Sequence, residues 1–176
     1  MTGSALPPFP DGIDPAHVTP RGGQWRRWIA ITLLATVMLA ALFGVFGGGK
    51  VRPIVADAPA ARLEVATPRV IRNGMFFETR VQITARQPID KAVVTVSRSL
   101  WRDMTINTMI PAASEEAVKD DAFTFDYGPL AAGETLAIKI DGQINPPLFA
   151  GTKGRIALLD GERELVAAPI SVTVLP

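Results

Sequence analysis

The sequence predicts an all-β, antiparallel sandwich preceded by a single transmembrane α-helix. Three observations predict it. The run Trp28 to Phe46 is apolar, uncharged and long enough to cross a bilayer. From Arg62 onward apolar residues alternate with polar or small ones, the period of half-buried strands. Turn dipeptides separate the alternating runs at intervals of ~8–12 residues, which leaves no room for crossover helices.

The apolar segment WIAITLLATVMLAALFGVF holds 19 residues without a charge. At ~1.5 Å rise per residue it spans ~28 Å, close to the ~30 Å hydrocarbon thickness of a membrane. Its polar members are Thr32 and Thr36, whose hydroxyls can bond back to the preceding helical turn. Trp25 and Trp28 stand where an interfacial aromatic belt would lie. A cleaved signal peptide has an apolar run of only ~7–15 residues with a small-x-small site directly behind it. Here the nearest such triplet, Ala56-Asp57-Ala58, lies ten residues beyond Phe46, so residues 25–46 are expected to form an uncleaved span.

Arg21, Arg26 and Arg27 precede the span, while Lys50 and Arg52 follow it behind Gly47-Gly48-Gly49. The positive-inside bias places the amino terminus in the cytoplasm and the following domain in the periplasm or outside the cell, across a bacterial inner membrane. Residues 1–24, rich in Pro and Gly without an apolar period, are expected to be a disordered cytoplasmic tail; Pro7-Pro8-Phe9-Pro10 has a P-x-x-P spacing. Residues 47–61 are expected to be a flexible linker.

In residues 62–176 the alternating positions run through Leu63, Val65 and Thr67, then Phe77 to Ala85, Ala92 to Val96, Met104 and Ile106, Phe123 to Tyr127, and Leu136 to Ile140. Ile156 and Leu158, Leu165, and Ile170, Val172 and Val174 close the series, and seven to nine strands fit. Asp160-Gly161 is expected to form a type I′ hairpin turn, and Asn73-Gly74 and Asp141-Gly142 to be further breaks. The stretch Asp126-Tyr127-Gly128-Pro129-Leu130-Ala131-Ala132-Gly133-Glu134-Thr135, followed by the alternating LAIKI, resembles the strand connection of bacterial immunoglobulin-like adhesion and cell-surface modules. That resemblance implies an immunoglobulin-like sandwich serving as a binding or spacing module; the Cys-Trp-Cys core of antibody-type domains is missing, so it extends to architecture alone.

Composition narrows the chemistry. The chain has no Cys and one His, His17, so disulfides, thiolate metal sites and histidine-dependent triads are not expected in the β domain. Lys and Arg total 18 against 17 Asp and Glu, which gives no strongly basic face for nucleic acid. Glu115-Glu116, Asp120-Asp121 and Asp126 lack the Asp-x-Asp-x-Asp spacing of a calcium loop, and Met75, Met104 and Met109 have no nearby His or Cys for copper. No catalytic residue, cofactor, metal or small-molecule substrate is expected.

The informative residues are large side chains in loop contexts. Leu148 and Phe149 follow Pro146-Pro147, and Trp101 stands beside Arg102, so these four are candidate partner contacts. Ala40 and Gly44, four apart, are a candidate small-residue face for helix packing. The expected function is that of a non-enzymatic single-pass protein whose external domain binds or stabilises another envelope protein. The alternative is an accessory subunit or assembly factor of an integral membrane enzyme complex, such as a respiratory one.

Overall fold

The computed structural model describes residues 24–48 and 50–176. The Pro-rich segment and His17 lie outside the described residues. The chain divides into two units, Met1–Leu42 and Phe43–Pro176.

In the first unit, helix α1 spans Gln24–Leu42, is long and apolar enough to cross a membrane, and buries none of its side chains. Thr36 Oγ1 donates to the Thr32 carbonyl at 2.8 Å, so the hydroxyl adds no unsatisfied polar group to the apolar surface. The helix stops four residues short of the expected Phe46. Gly44 takes φ of +75°, the left-handed conformation that commonly ends helices and that only glycine adopts without steric cost. The remaining 19 helical residues still cover ~28 Å.

The second unit is the predicted antiparallel sandwich. Its strands are β1 (Ile54–Asp57), β2 (Ala61–Ala66), β3 (Val70–Arg72), β4 (Phe76–Ala85), β5 (Ala92–Ser97) and β6 (Met104–Ile110). They continue with β7 (Glu115–Lys119), β8 (Ala122–Asp126), β9 (Thr135–Ile144), β10 (Thr152–Asp160) and β11 (Arg163–Leu175). One sheet has the order β1-β2-β4-β9-β6 and the other β3-β11-β10-β5-β8-β7. Every neighbouring pair is antiparallel except β3 with β11, which run parallel.

Period-two alternation puts one set of side chains between the sheets. Leu63, Val65, Val81, Ile83, Ile138 and Ile140 of the first sheet meet Val94, Val96, Ile156, Leu158, Ile170 and Val172 of the second in one buried cluster. The connection Gly128–Glu134, which carried the family resemblance, links the two sheets. Leu130 enters the core and exchanges backbone bonds with Ile89, while the Glu134 carboxylate accepts from the Ala131 N–H at 2.8 Å.

Several local expectations are corrected. The stretch 47–61 is not linker throughout: Ile54–Asp57 pairs with residues 62–65 of β2, Ile54 opposite Val65 and Asp57 opposite Arg62, because Ile54 and Ala56 add apolar side chains to the core edge. Asp141-Gly142 is no break but the interior of β9; a Cβ on Gly142 would lie 2.6 Å from Phe77 Cζ, so the glycine makes room for a ring. The β10–β11 turn is Gly161-Glu162, with Asp160 paired to Arg163 and positive φ at Gly161 alone, which is the type II′ rather than the type I′ pattern. The type I′ pattern falls instead on Asp120-Asp121, at φ of 50° and 61° between paired Lys119 and Ala122. Leu165 and Ile170 belong to one strand, in which Val166 and Ala168, not Leu165, continue the buried stripe. Pro169 is tolerated there because β3 covers only the last residues of β11, leaving that edge unpaired.

Candidate functional site

Strand register brings both loops that carry the candidate partner contacts to the same end of the sandwich. Ser97 ends β5 and Met104 opens β6, while Ile144 ends β9 and Thr152 opens β10, with Met104 paired to Ile144. The two loops are bonded to each other. The Asn145 N–H donates to the Asp103 carbonyl at 3.0 Å, and Thr105 Oγ1 donates to Asn145 Oδ1 at 3.1 Å. The β3–β4 turn joins them, since Asn73 Nδ2 donates to the Pro146 carbonyl at 2.8 Å and Gln143 Nε2 to the Gly74 carbonyl at 3.1 Å.

The four candidate side chains have different places in this end. Leu148 is fully buried and plugs the sandwich, whereas Phe149 is 70% exposed. The reversal between them is fixed by backbone. The Leu148 N–H closes a turn onto the Asn145 carbonyl at 3.0 Å, and Ala150 and Gly151 follow at φ of 63° and 107°. A Cβ on Gly151 would fall 1.9 Å from the Val172 carbonyl oxygen, so the loop can approach β11 only with glycine at this position.

Trp101 is half-buried, its ring 5.5 Å from Phe123 and 5.7 Å from Phe125, the latter edge-on. Arg102 is exposed, with Nε 3.6 Å from the Asp103 carboxylate. Trp101, Phe77, Met104 and Ile144 line an apolar recess that reaches between the sheets toward Ile156 and Ile170. Its polar atoms satisfy each other: the hydroxyls of Thr67 and Thr79, both buried, are 2.8 Å apart. The recess contains no charged group for binding an ion or moving a proton.

Sequence reasoning found both loops but not their meeting, since that depends on the order of strands in the sheets. It also missed Phe77, which it placed on a strand as core and which walls the recess. The Ala40–Gly44 pair is not brought onto one helix face, because Gly44 lies in the turn after α1.

The carboxylates are spread along the β7–β8 hairpin. Glu115 and Glu116 open β7, Asp120 and Asp121 make its turn, and Asp126 accepts from the Gly128 N–H at 2.8 Å and from Lys91 Nζ at 2.9 Å. Those bonds, the backbone one first, hold the Asp126 carboxyl below its ordinary range. Burial, and then the Glu116 charge, pushes the Tyr127 hydroxyl up to about 12. Among the described residues no three of His, Cys, Asp and Glu gather as metal ligands would.

No family profile matches the chain, and no curated protein matches it. Among solved structures it is similar to a non-cellulosomal cohesin from the hyperthermophilic archaeon Archaeoglobus fulgidus, at 10% identity and a TM-score of 0.39, over 73% of this chain and 93% of that one. The chain's own strand order and burial define it as a β-sandwich module behind one N-terminal apolar helix.

Proposed function

We propose that this is a non-enzymatic, single-pass protein of a bacterial inner membrane, amino terminus in the cytoplasm, whose external sandwich binds or steadies another envelope protein. The observation that carries this reading is the loop end itself. The loop that carries Trp101 and Arg102 is bonded to the loop that carries Phe149, Leu148 of the latter is buried, and an apolar recess lies beside Trp101. Aromatic and Arg side chains that reach the surface on a backbone fixed in advance, as half-buried Trp101 and exposed Arg102 and Phe149 do, are the usual composition of an interface centre, because little entropy is lost on contact.

The alternative is an accessory subunit or assembly factor of an integral membrane enzyme complex, held by lateral packing of α1. A mild-detergent pull-down of the full chain from its native membrane tests the two. With W101A/F149A, a stoichiometric partner is expected to be lost and membrane insertion kept. Capture unaffected by that variant but abolished when α1 is replaced by a generic leucine-rich span would favour the accessory-subunit reading.

A further inference from the structure

Charge and apolar exposure are distributed unevenly along the sandwich. At the end just described, Met75 and Phe76 at the β3–β4 turn are 53% and 69% exposed. The same end carries Arg69, Arg72 and Lys153, with Lys50 and Arg52 in the chain leading into β1; all five are exposed and have no ion-pair partner among the described residues. Of the acidic groups at this end, Asp103 is paired with Arg102, and Asp120 and Asp121 are set on the β7–β8 turn, away from the β3–β4 turn in strand order. The opposite end carries Asp57, Asp90, Glu134 and Asp160, with Arg86, Lys91 and Arg163 paired to acidic groups.

The same end receives the chain from α1. Ile54, the first residue of β1, is opposite Val65, one residue before β2 ends, and Asn73 is bonded to Leu175 where β11 ends. Only Phe43 to Pro53 separate the helix from β1, and they reach at most roughly 40 Å when fully extended. The left-handed turn at Gly44, closed by the Gly47 N–H on its carbonyl at 3.1 Å, shortens that reach.

We infer that this end of the sandwich docks on an anionic lipid surface, with Met75 and Phe76 entering the headgroup boundary and Arg69, Arg72 and Lys153 meeting lipid phosphates. The inference rests on the reading of α1 as a membrane span. Clustered basic residues next to a span are drawn to anionic lipid, and apolar side chains among them add buried area at the interface. The domain then rests on the bilayer rather than standing off it, and the Trp101 recess is held where an integral membrane protein, not a soluble one, would reach it.

The absence of cysteine makes the test direct. F76C, and A132C on the Gly128–Glu134 connection as the control, are labelled with an environment-sensitive dye in the full chain and reconstituted in lipid nanodiscs. In phosphatidylglycerol-containing discs, iodide quenching at position 76 is expected to fall at least about threefold relative to purely phosphatidylcholine discs, and to recover when R69Q/R72Q/K153Q is added. Position 132 is expected to quench equally in both. Equal quenching at 76 in the two lipids, or equal shielding at 132, would overturn the inference. Shielding at 76 in native membranes but not in anionic discs would also overturn it, and would assign the surface to a protein. Alkaline extraction of native membranes separates the two readings: release of the chain would remove the anchor and the inference together, whereas retention with an unshielded position 76 would remove the inference alone.

Discussion

At position 151 the side chain that is missing matters more than any present. A Cβ there would meet the Val172 carbonyl oxygen at 1.9 Å, and φ of 107° lies in a region that L-residues avoid. G151A is therefore expected to destabilise the sandwich by about 3 kcal/mol, through steric displacement and left-handed strain together, and to free Leu148 from its buried site. A lowered thermal midpoint, with new exchange of the Leu148 amide, would report both effects. Asp126 gives a prediction with a sign in pH. Its carboxyl is held below the ordinary 3.8, so its stabilisation is complete above that value and is lost as pH falls through the lower folded value. D126N is expected to cost about 1 kcal/mol at neutral pH, mostly through the charge-assisted Gly128 bond, because Lys91 is half-exposed and water screens it. Denaturation curves taken from pH 7 downward should show the gap between variant and wild type closing below pH 3.8.

At the scale of the element, alternation was readable where both neighbours of a strand are present. Thr79, Val81, Ile83 and Ala85 of β4, and Ala92, Val94 and Val96 of β5, are buried as their period requires. Turns were less readable, since Asp-Gly signals a reversal without fixing which two residues occupy it, and a glycine under a ring looks the same in sequence as a glycine in a turn. The strand β1 was hidden by its short length and by Pro53 and Pro59 on either side. In the β7–β8 hairpin, β8 was legible from Phe123 and Phe125, whereas β7 was not, because it is wholly exposed and shows no burial period, as an edge protected by Glu115, Glu116 and Lys119 should be. The hairpin's turn is suboptimal: two carboxylates occupy the two left-handed positions. Replacing Asp120-Asp121 by Asn-Gly is expected to stabilise the hairpin by about 1 kcal/mol, because Gly carries no Cβ penalty in that conformation and the like-charge repulsion disappears. A raised urea midpoint with unchanged slope would bear this out, and an unchanged midpoint would show that the turn does not limit stability.

For the whole molecule, the alternation that begins at Arg62 suggests a domain starting there, but the sheet is completed by β1. Removing Ile54–Asp57 would uncover the β2 edge and strip Ile54 and Ala56 from the core. Half-burying an Ile and an Ala, with the ladder bonds of one short strand, contributes about 2 kcal/mol. A chain of residues 50–176 is accordingly expected to fold alone as a monomeric β-rich domain, since ~125 residues in one core need no disulfide. A chain of residues 60–176 should melt roughly 8 °C lower and associate through the bare edge of β2 as concentration rises. Circular dichroism melts and sedimentation at two concentrations separate the possibilities. Equal stability and a monomeric state for both would mean that β1 is an appendage of the tether rather than part of the sandwich. In that event the stretch between Leu42 and Ala61 would regain the reach of a free linker.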